Sequence, residues 1–297
     1  MLDFKIPQIE DKTWVDKCFA CAKSLSSEYT FGSVFVWKTP YRTQIARFKD
    51  FFICRWGKGE DISYSLPIGC GDFKEAVQEI IDDAKAKSIK PQIYGVTDEY
   101  RDMLSDCFPG KFSFKYDDGF NDYIYESVAL AELSGKKYHG KRNHISNFKR
   151  TYPDWSYEEI TEENIPECIE LHTNWINNRE DDDPDFSLEF EAVLTGFENY
   201  AALGLKGGLI RVGGKPVAYT FGEARNNECF VTHFEKAPSD INGAYTIINQ
   251  EFAKRLLEDG YKYINREEDL GLEGLRKAKQ SYHPAIWLKK EVAIYNE

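Results

Sequence analysis

The sequence contains no apolar run approaching the roughly 20 residues that a membrane-spanning helix needs. Its opening Met-Leu-Asp-Phe-Lys-Ile-Pro also lacks the apolar core of a signal peptide. A cytoplasmic protein is therefore expected. The seven cysteines are odd in number and show no framework spacing. Cys18 and Cys21 lack the second pair that a zinc site would require, so all seven read as core thiols. Histidine is scarce, with five in 297 residues. Only His139 and His144 lie close together, and that spacing is no metal signature by itself, so no metal is expected. No Ser/His/Asp or Cys/His set marks a nucleophilic enzyme. A surplus of cations is missing too, since the formal net charge is −12. That excludes a general nucleic-acid binder while leaving room for one local basic face.

What is present is ample material for a folded core: 42% hydrophobic and 15% aromatic residues, in a length that suits one large domain or two of about 150 residues. Strand-like and helix-like patterns alternate, which predicts a mixed α/β architecture. Two passages share a layout. In the first, a strand at 62–66 is followed by a helix with Phe73, Ala76, Val77, Ile80, Ile81 and Ala84 on one face, then a strand at 92–96. The second repeats this with a strand at 229–234, a helix presenting Ala244, Ile247, Ile248, Phe252 and Leu256, and a strand at 261–265. A shift of 169 residues superposes them, so two similar halves are expected. The boundary is placed near residue 130, giving halves 1–130 and 131–297.

Just after that boundary, residues 136–150 carry six positive charges and no acid, so the remainder of the chain sums to −18. Cations gathered in this way point to an anionic partner, or else to a basic linker that neutralises the acidic surfaces on either side. Donor binding predicts that several of these charges stay exposed, whereas the linker reading predicts that they are paired within the fold. The acidic run 180–185 lacks the glycine and closing glutamate of a calcium loop and reads as a solvated loop. His172 shares a helical face with Ile165, Cys168, Ile169 and Ile176, which marks it as a packed core histidine.

The second half runs strand, helix, helix, antiparallel meander, loop, helix, strand, helix and a last strand at 285–294. This order resembles the acetyltransferase-type (GNAT) plan, an α/β (α+β) fold with mixed, mostly antiparallel sheets. Such a fold splays two central strands, so that a ligand's acyl arm can pair with exposed backbone while a following helix offers its amides to a phosphate. The loop 235–243 would be that site. Its glycine content is low, and Gly69-Cys70-Gly71 in the first half is a weak substitute, so coenzyme A use is not secured by motif. The densest polar stretch follows at 265–282. In it Leu272 and Leu275 are expected to turn inward, while Arg276 and Lys279 lie three residues apart and want an anion. Internal carboxylates could supply that anion and make a structural ion-pair network. In the functional alternative, Glu267 or Glu268 orients or deprotonates an amine, Arg276 and Lys279 hold a phosphate or carboxylate, and Tyr282 protonates a leaving group.

Several blocks also resemble motifs of the phosphatidylglycerol lysyltransferase carboxy-terminal-domain family. They are Lys141-Arg142-Asn143-His144, Glu235-Lys236-Ala237, Gly243-Ala244-Tyr245, Asn265-Arg266-Glu267-Glu268-Asp269, Gly274-Leu275-Arg276-Lys277-Ala278-Lys279 and Ser281-Tyr282. The resemblance covers mainly residues 120–290 and is nearest the soluble branch. It implies tandem GNAT-like halves, kinship with Fem-type aminoacyltransferases, and transfer of an aminoacyl group from charged tRNA to an amine or hydroxyl. It also implies a donor-binding set of Lys141, Arg142, Asn143, His144, Glu235, Lys236, Gly243, Tyr245, Asn265, Arg266, Asp269, Arg276 and Lys279. The acceptor would be a small molecule or a lipid headgroup. Two other classes fit the same features: a coenzyme A-dependent N-acyltransferase and a non-catalytic binding module of the same ancestry.

Overall fold

The structure is a computed structural model, and it describes residues 2–177 and 184–296. The first four residues of the acidic run 180–185 lie outside the described residues. Fourteen strands form among those described: β1 (Gln44–Phe48), β2 (Phe51–Trp56), β3 (Ser63–Ser65), β4 (Ile68–Gly69), β5 (Gln92–Val96), β6 (Phe112–Tyr116), β7 (Asp122–Glu126), β8 (Ser156–Glu159), β9 (Lys206–Val212), β10 (Lys215–Ala224), β11 (Cys229–Lys236), β12 (Tyr263–Asn265), β13 (Ile286–Leu288) and β14 (Glu291–Tyr295). They build two seven-stranded sheets. One runs β1-β2-β3-β5-β14-β6 with β4 beside β2, and the other runs β13-β7-β12-β11-β10-β9-β8.

The chain divides into two compact units. The first holds residues 1–122, 268–276 and 287–297, and the second holds 123–267 and 277–286. Both contain the expected strand–helix–strand repeat. In the first unit β3 and β5 pair in parallel, with Tyr64 opposite Ile93. Between them the helix Phe73–Ala86 buries Phe73, Ala76, Val77, Ile80, Ile81 and Ala84. Its first turn is capped by Asp72, whose carboxylate accepts the Glu75 N–H at 3.1 Å. In the second unit β11 and β12 pair in parallel, with Cys229 opposite Tyr263. The connecting helix Ala244–Glu258 buries Ala244, Ile247, Ile248, Phe252 and Leu256. Its partners in that core include Tyr123, Tyr125, Phe148, Phe230 and Ile264.

Several expectations are corrected. A single cut near residue 130 does not describe the division, because the segment expected to form one last strand at 285–294 makes two. β13 joins the second sheet, and β14 inserts between β5 and β6 of the first. The break falls at Lys289 and Lys290, and the Lys290 side chain turns into the first unit, where its ammonium sits 2.8 Å from Asp122. The basic stretch is not a linker either. It forms the 3-10 turn Lys136–Tyr138 and the helix His139–Thr151, which sinks Ile145 and Phe148 into the second core. Leu272 and Leu275 point outward, at 59% and 38% exposure. The helix Glu273–Gln280, which follows Leu272 and contains Leu275, is anchored through polar contacts instead, and its buried side chain is Lys279.

Two of the seven cysteines are not free thiols. The end of the helix Lys12–Phe19 and the turn after β4 bring the Cys21 and Cys70 Cα atoms within 5.7 Å, and the pair is bonded. Cys18, Cys54, Cys168 and Cys229 are buried and free, as core thiols should be. His172 is fully buried, stacked on Trp175 and Phe190, with Nδ1 2.9 Å from the Tyr219 hydroxyl. Burial brings its pKa down to about 3, which keeps it neutral.

Candidate active site

The site in the second unit begins where two parallel strands part. Pairing between β11 and β12 ends at Val231 opposite Asn265, while β11 continues to Lys236. The other edge of β11 is irregular at the same level. Phe234 faces Phe221 and Thr232 faces Gly222, so His233 is the extra residue of a β-bulge. The bulge aims its imidazole between two carboxylates. Nδ1 lies 2.8 Å from Glu267 and Nε2 lies 3.0 Å from Glu223. The His233 side chain is 2% exposed. Burial alone would strip its proton, but the bonds to Glu223 and Glu267 outweigh it and raise the pKa to about 10. The ring is therefore an imidazolium at neutral pH.

Glu267 reaches it from a left-handed backbone, φ +57°. That conformation is held by the Asn265 side chain, whose oxygen accepts the Glu267 N–H at 2.7 Å. A second bridge spans the same parting: Arg266 donates to Glu235 at 2.8 Å, with both side chains mostly buried. Glu235 also accepts from Asn249 at 3.3 Å. The Arg266 guanidinium lies 5.2 Å from the centre of the Tyr282 ring, and the Lys141 ammonium lies 3.7 Å from that centre. Burial and the neighbouring guanidinium bring Lys141 down to about 8, against the opposing pull of Glu235. Burial pushes the Tyr282 phenol up to about 12. Below this group Lys279 donates to the Arg266 carbonyl at 2.5 Å, and the Tyr125 hydroxyl donates to the Lys279 carbonyl at 2.7 Å. Chemically, two cations and one carboxylate surround an aromatic face, beside a carboxylate–imidazolium–carboxylate triad.

The family model described as phosphatidylglycerol lysyltransferase, C-terminal, matches residues 19–294. The chain belongs to this family. Among solved structures, a conserved protein of unknown function from Bacteroides thetaiotaomicron VPI-5482 is 40% identical, with all of each chain covered and a TM-score of 0.93. The C-terminal domain of a putative lysylphosphatidylglycerol synthetase from Agrobacterium fabrum is 17% identical over 96% of this chain and 92% of that one, with a TM-score of 0.69. FemX, at 10% identity, covers 99% and 98% with a TM-score of 0.60. A tandem GNAT protein from the clavulanic acid pathway, at 8% identity, covers 100% and 99% with a TM-score of 0.51. These likenesses establish the tandem GNAT-like fold. An uncharacterized Mycoplasmoides gallisepticum protein is 23% identical over 177 residues, which is 57% of this chain and 54% of that relative. The chain thus spans about half the length of that curated relative. Among the described residues no helix is long and apolar enough to cross a membrane.

Within this family member the predicted residues separate. The second unit brings together Lys141, Glu235, Arg266, Tyr282 and Lys279, with Asn265 and Glu267 next to them. Glu268, Asp269 and Arg276 belong to the first unit. There Arg276 pairs with Asp269 at 2.8 Å and Asp118 at 2.9 Å, and Glu268 lies 3.6 Å from Lys290. Arg276 and Lys279 therefore have separate partners and do not form one anion clamp. Arg142 donates to the carbonyls of Leu133 and Gly135, tying down the end of the helix Ser127–Glu132. Gly243 is backbone architecture: φ is +89°, and a Cβ there would come within 2.8 Å of the His144 carbonyl oxygen. Lys236 pairs with Glu189 at 2.8 Å and lies over Trp175. His144 bonds Asn242 and Asn143 bonds His139, both at the surface, and Tyr245 is 40% exposed.

The N–H groups of Ala244, Thr246 and Ile247 are bonded to Ile241 and Gly243 carbonyls, so these amides of the 235–243 loop and following turn are engaged. Sequence reading left His233 open and missed Glu223, Tyr125 and Asn249. No spacing betrays Glu223 and His233, because the bulge between their strands decides that they meet.

Proposed function

We propose that this chain transfers an aminoacyl group from charged tRNA to an amine or hydroxyl acceptor. The observation that supports this reading is the state of the basic stretch 136–150. Of its six cations, Lys149 alone has a carboxylate partner among the described residues, Glu251 at 3.7 Å. Lys136 and Lys137 are exposed, and Arg150 bonds only Asn147. A linker that neutralised acidic surfaces would have matched these charges with carboxylates, whereas a polyanion site leaves several of them exposed, as Lys136, Lys137 and Arg150 are. The helix His139–Thr151 delivers Lys141 to the Tyr282 and Arg266 cluster and carries Arg150 as well, so it links the basic face to the polar site.

Direct transfer requires alignment, a proton acceptor for the attacking group and donors for the oxyanion that forms at the ester carbonyl. Glu267, with one oxygen committed to the His233 imidazolium, suits orienting an ammonium better than removing a proton. A gel shift with aminoacylated tRNA tests the reading. A salt-sensitive complex is expected, weakened at least tenfold by Lys136→Glu combined with Lys137→Glu and Arg150→Glu, without loss of folding. Coenzyme A retained through native mass spectrometry, with no tRNA complex at low salt, would move the chain to the acyl-coenzyme A class.

A further inference from the structure

Lys141 stands apart from the other cations of its helix. Its ammonium is half-buried against the Tyr282 ring, and no carboxylate within the described residues forms an ion pair with it. The one carboxylate of the cluster, Glu235, is committed to Arg266 at 2.8 Å and to Asn249 at 3.3 Å. Lys141 is also the third residue of the helix His139–Thr151, where the helix dipole adds positive potential and disfavours a charged amine. The surrounding charged and titratable groups are few. Arg266 faces it from the segment after β12, Glu235 from β11, and Tyr282 from beyond the helix Glu273–Gln280. His139, Arg142 and His144 share its own helix. Burial, the guanidinium and the dipole all oppose protonation, and the ring and Glu235 only partly restore it.

We propose that Lys141 serves this site as an uncharged amine, the proton acceptor for an attacking N–H or O–H group. The inference rests on the transferase reading and adds the identity of the base. In that step the acceptor's lone pair forms a bond to the ester carbonyl carbon while its proton passes to Lys141 Nζ. As the tetrahedral intermediate collapses, the carbon–oxygen bond to the leaving hydroxyl breaks, and the departing oxygen takes the proton back from the Lys141 ammonium. Lysine is restored, and no outside oxidant or reductant is needed. Arg266 has the complementary duty, because a guanidinium keeps its charge and so weakens the neighbouring amine's hold on a proton.

Competitive acetylation of the full chain with trace acetic anhydride, read by peptide mass spectrometry from pH 6 to 11, tests this without any donor or acceptor. Lys141 is expected to reach half-maximal labelling near pH 8, where surface lysines, titrating near 10.4, are about 100-fold less deprotonated. In Arg266→Gln the freed Glu235 pairs with Lys141, and the midpoint rises towards that of the surface lysines. A wild-type midpoint near 10 overturns the proposal. So does a Lys141 that resists labelling at every pH, since a base beyond the reach of a small acylating agent is beyond the reach of an acceptor. With charged tRNA as donor, Lys141→Arg is expected to keep the gel shift and lose transfer; retained transfer overturns the base role. Absence of any tRNA complex counts against the transferase reading alone and leaves the labelling result standing.

Discussion

His233 carries the largest electrostatic commitment of the second unit. An imidazolium enclosed by Glu223 and Glu267, with almost no exposure, is stable only because both ring nitrogens donate to carboxylates. Its folded pKa, about 10, lies above the ordinary value of 6.5, so folding takes up a proton. The resulting stability is fully present below about pH 6.5, and it is lost as pH rises through 10. Nitrogen-detected NMR is expected to show His233 doubly protonated at pH 8, with neutral imidazole appearing only near pH 10. A ring that titrates near 6.5 would disprove the triad. Removing the ring in His233→Leu takes the imidazolium away from Glu223 and Glu267 and should lower stability by about 3 kcal/mol, read from denaturant midpoints. Lys290 is the counterpart in the first unit. Burial opposes its charge, yet Asp122, Glu268 and Glu28 hold its pKa well above the ordinary lysine value. Neither cluster could be read from sequence spacing, because each gathers residues from far-apart segments of the chain. The Lys141 and Arg266 blocks were legible because each is a contiguous motif.

The regular elements were legible for a simple reason: their burial follows their own periodicity. The spacing that predicted a helix over Phe73 to Ala84 is the spacing of the side chains it buries, and the same holds for Ala244 to Leu256. Periodicity failed where polar contacts decide. Leu272 and Leu275 share a helical pattern, but Arg276 bound to Asp269 and Lys279 buried under Arg266 turn the helix the other way. Gly243 shows how motif and architecture can be confused. It stands where a phosphate-binding glycine was expected, yet its left-handed backbone lets the start of the helix Ala244–Glu258 pass close to the His144 carbonyl. Gly243→Ala should therefore lower stability by about 2–3 kcal/mol through backbone strain and that contact. Thermal melts check this, and an unchanged midpoint would return Gly243 to the list of ligand-contacting residues.

The two units explain why a cut near residue 130 looked natural and is nevertheless incomplete. Residues 1–122 hold a strand–helix–strand repeat and a core of their own, which is what the pattern at 62–96 advertised. Their sheet is closed from elsewhere in the chain. β14 supplies the strand between β5 and β6, pairing antiparallel with both, and Lys290 just before it neutralises Asp122, which is fully buried and bonded to Ser27. Without residues 287–297, β6 loses the strand it pairs with among the described residues, and Asp122 loses the Lys290 ammonium. A fragment of residues 1–130 would then expose two unpaired strand edges and remove the buried ammonium from a buried carboxylate, and losing one partner of a buried ion pair costs about 3–5 kcal/mol against the usual 5–15 kcal/mol of domain stability. Such a fragment is expected to melt without a cooperative transition by circular dichroism, while the full chain melts cooperatively. A sharp transition in the fragment alone would mean that β14 adds to a unit already folded, and that the repeat, not the returning strand, defines the domain.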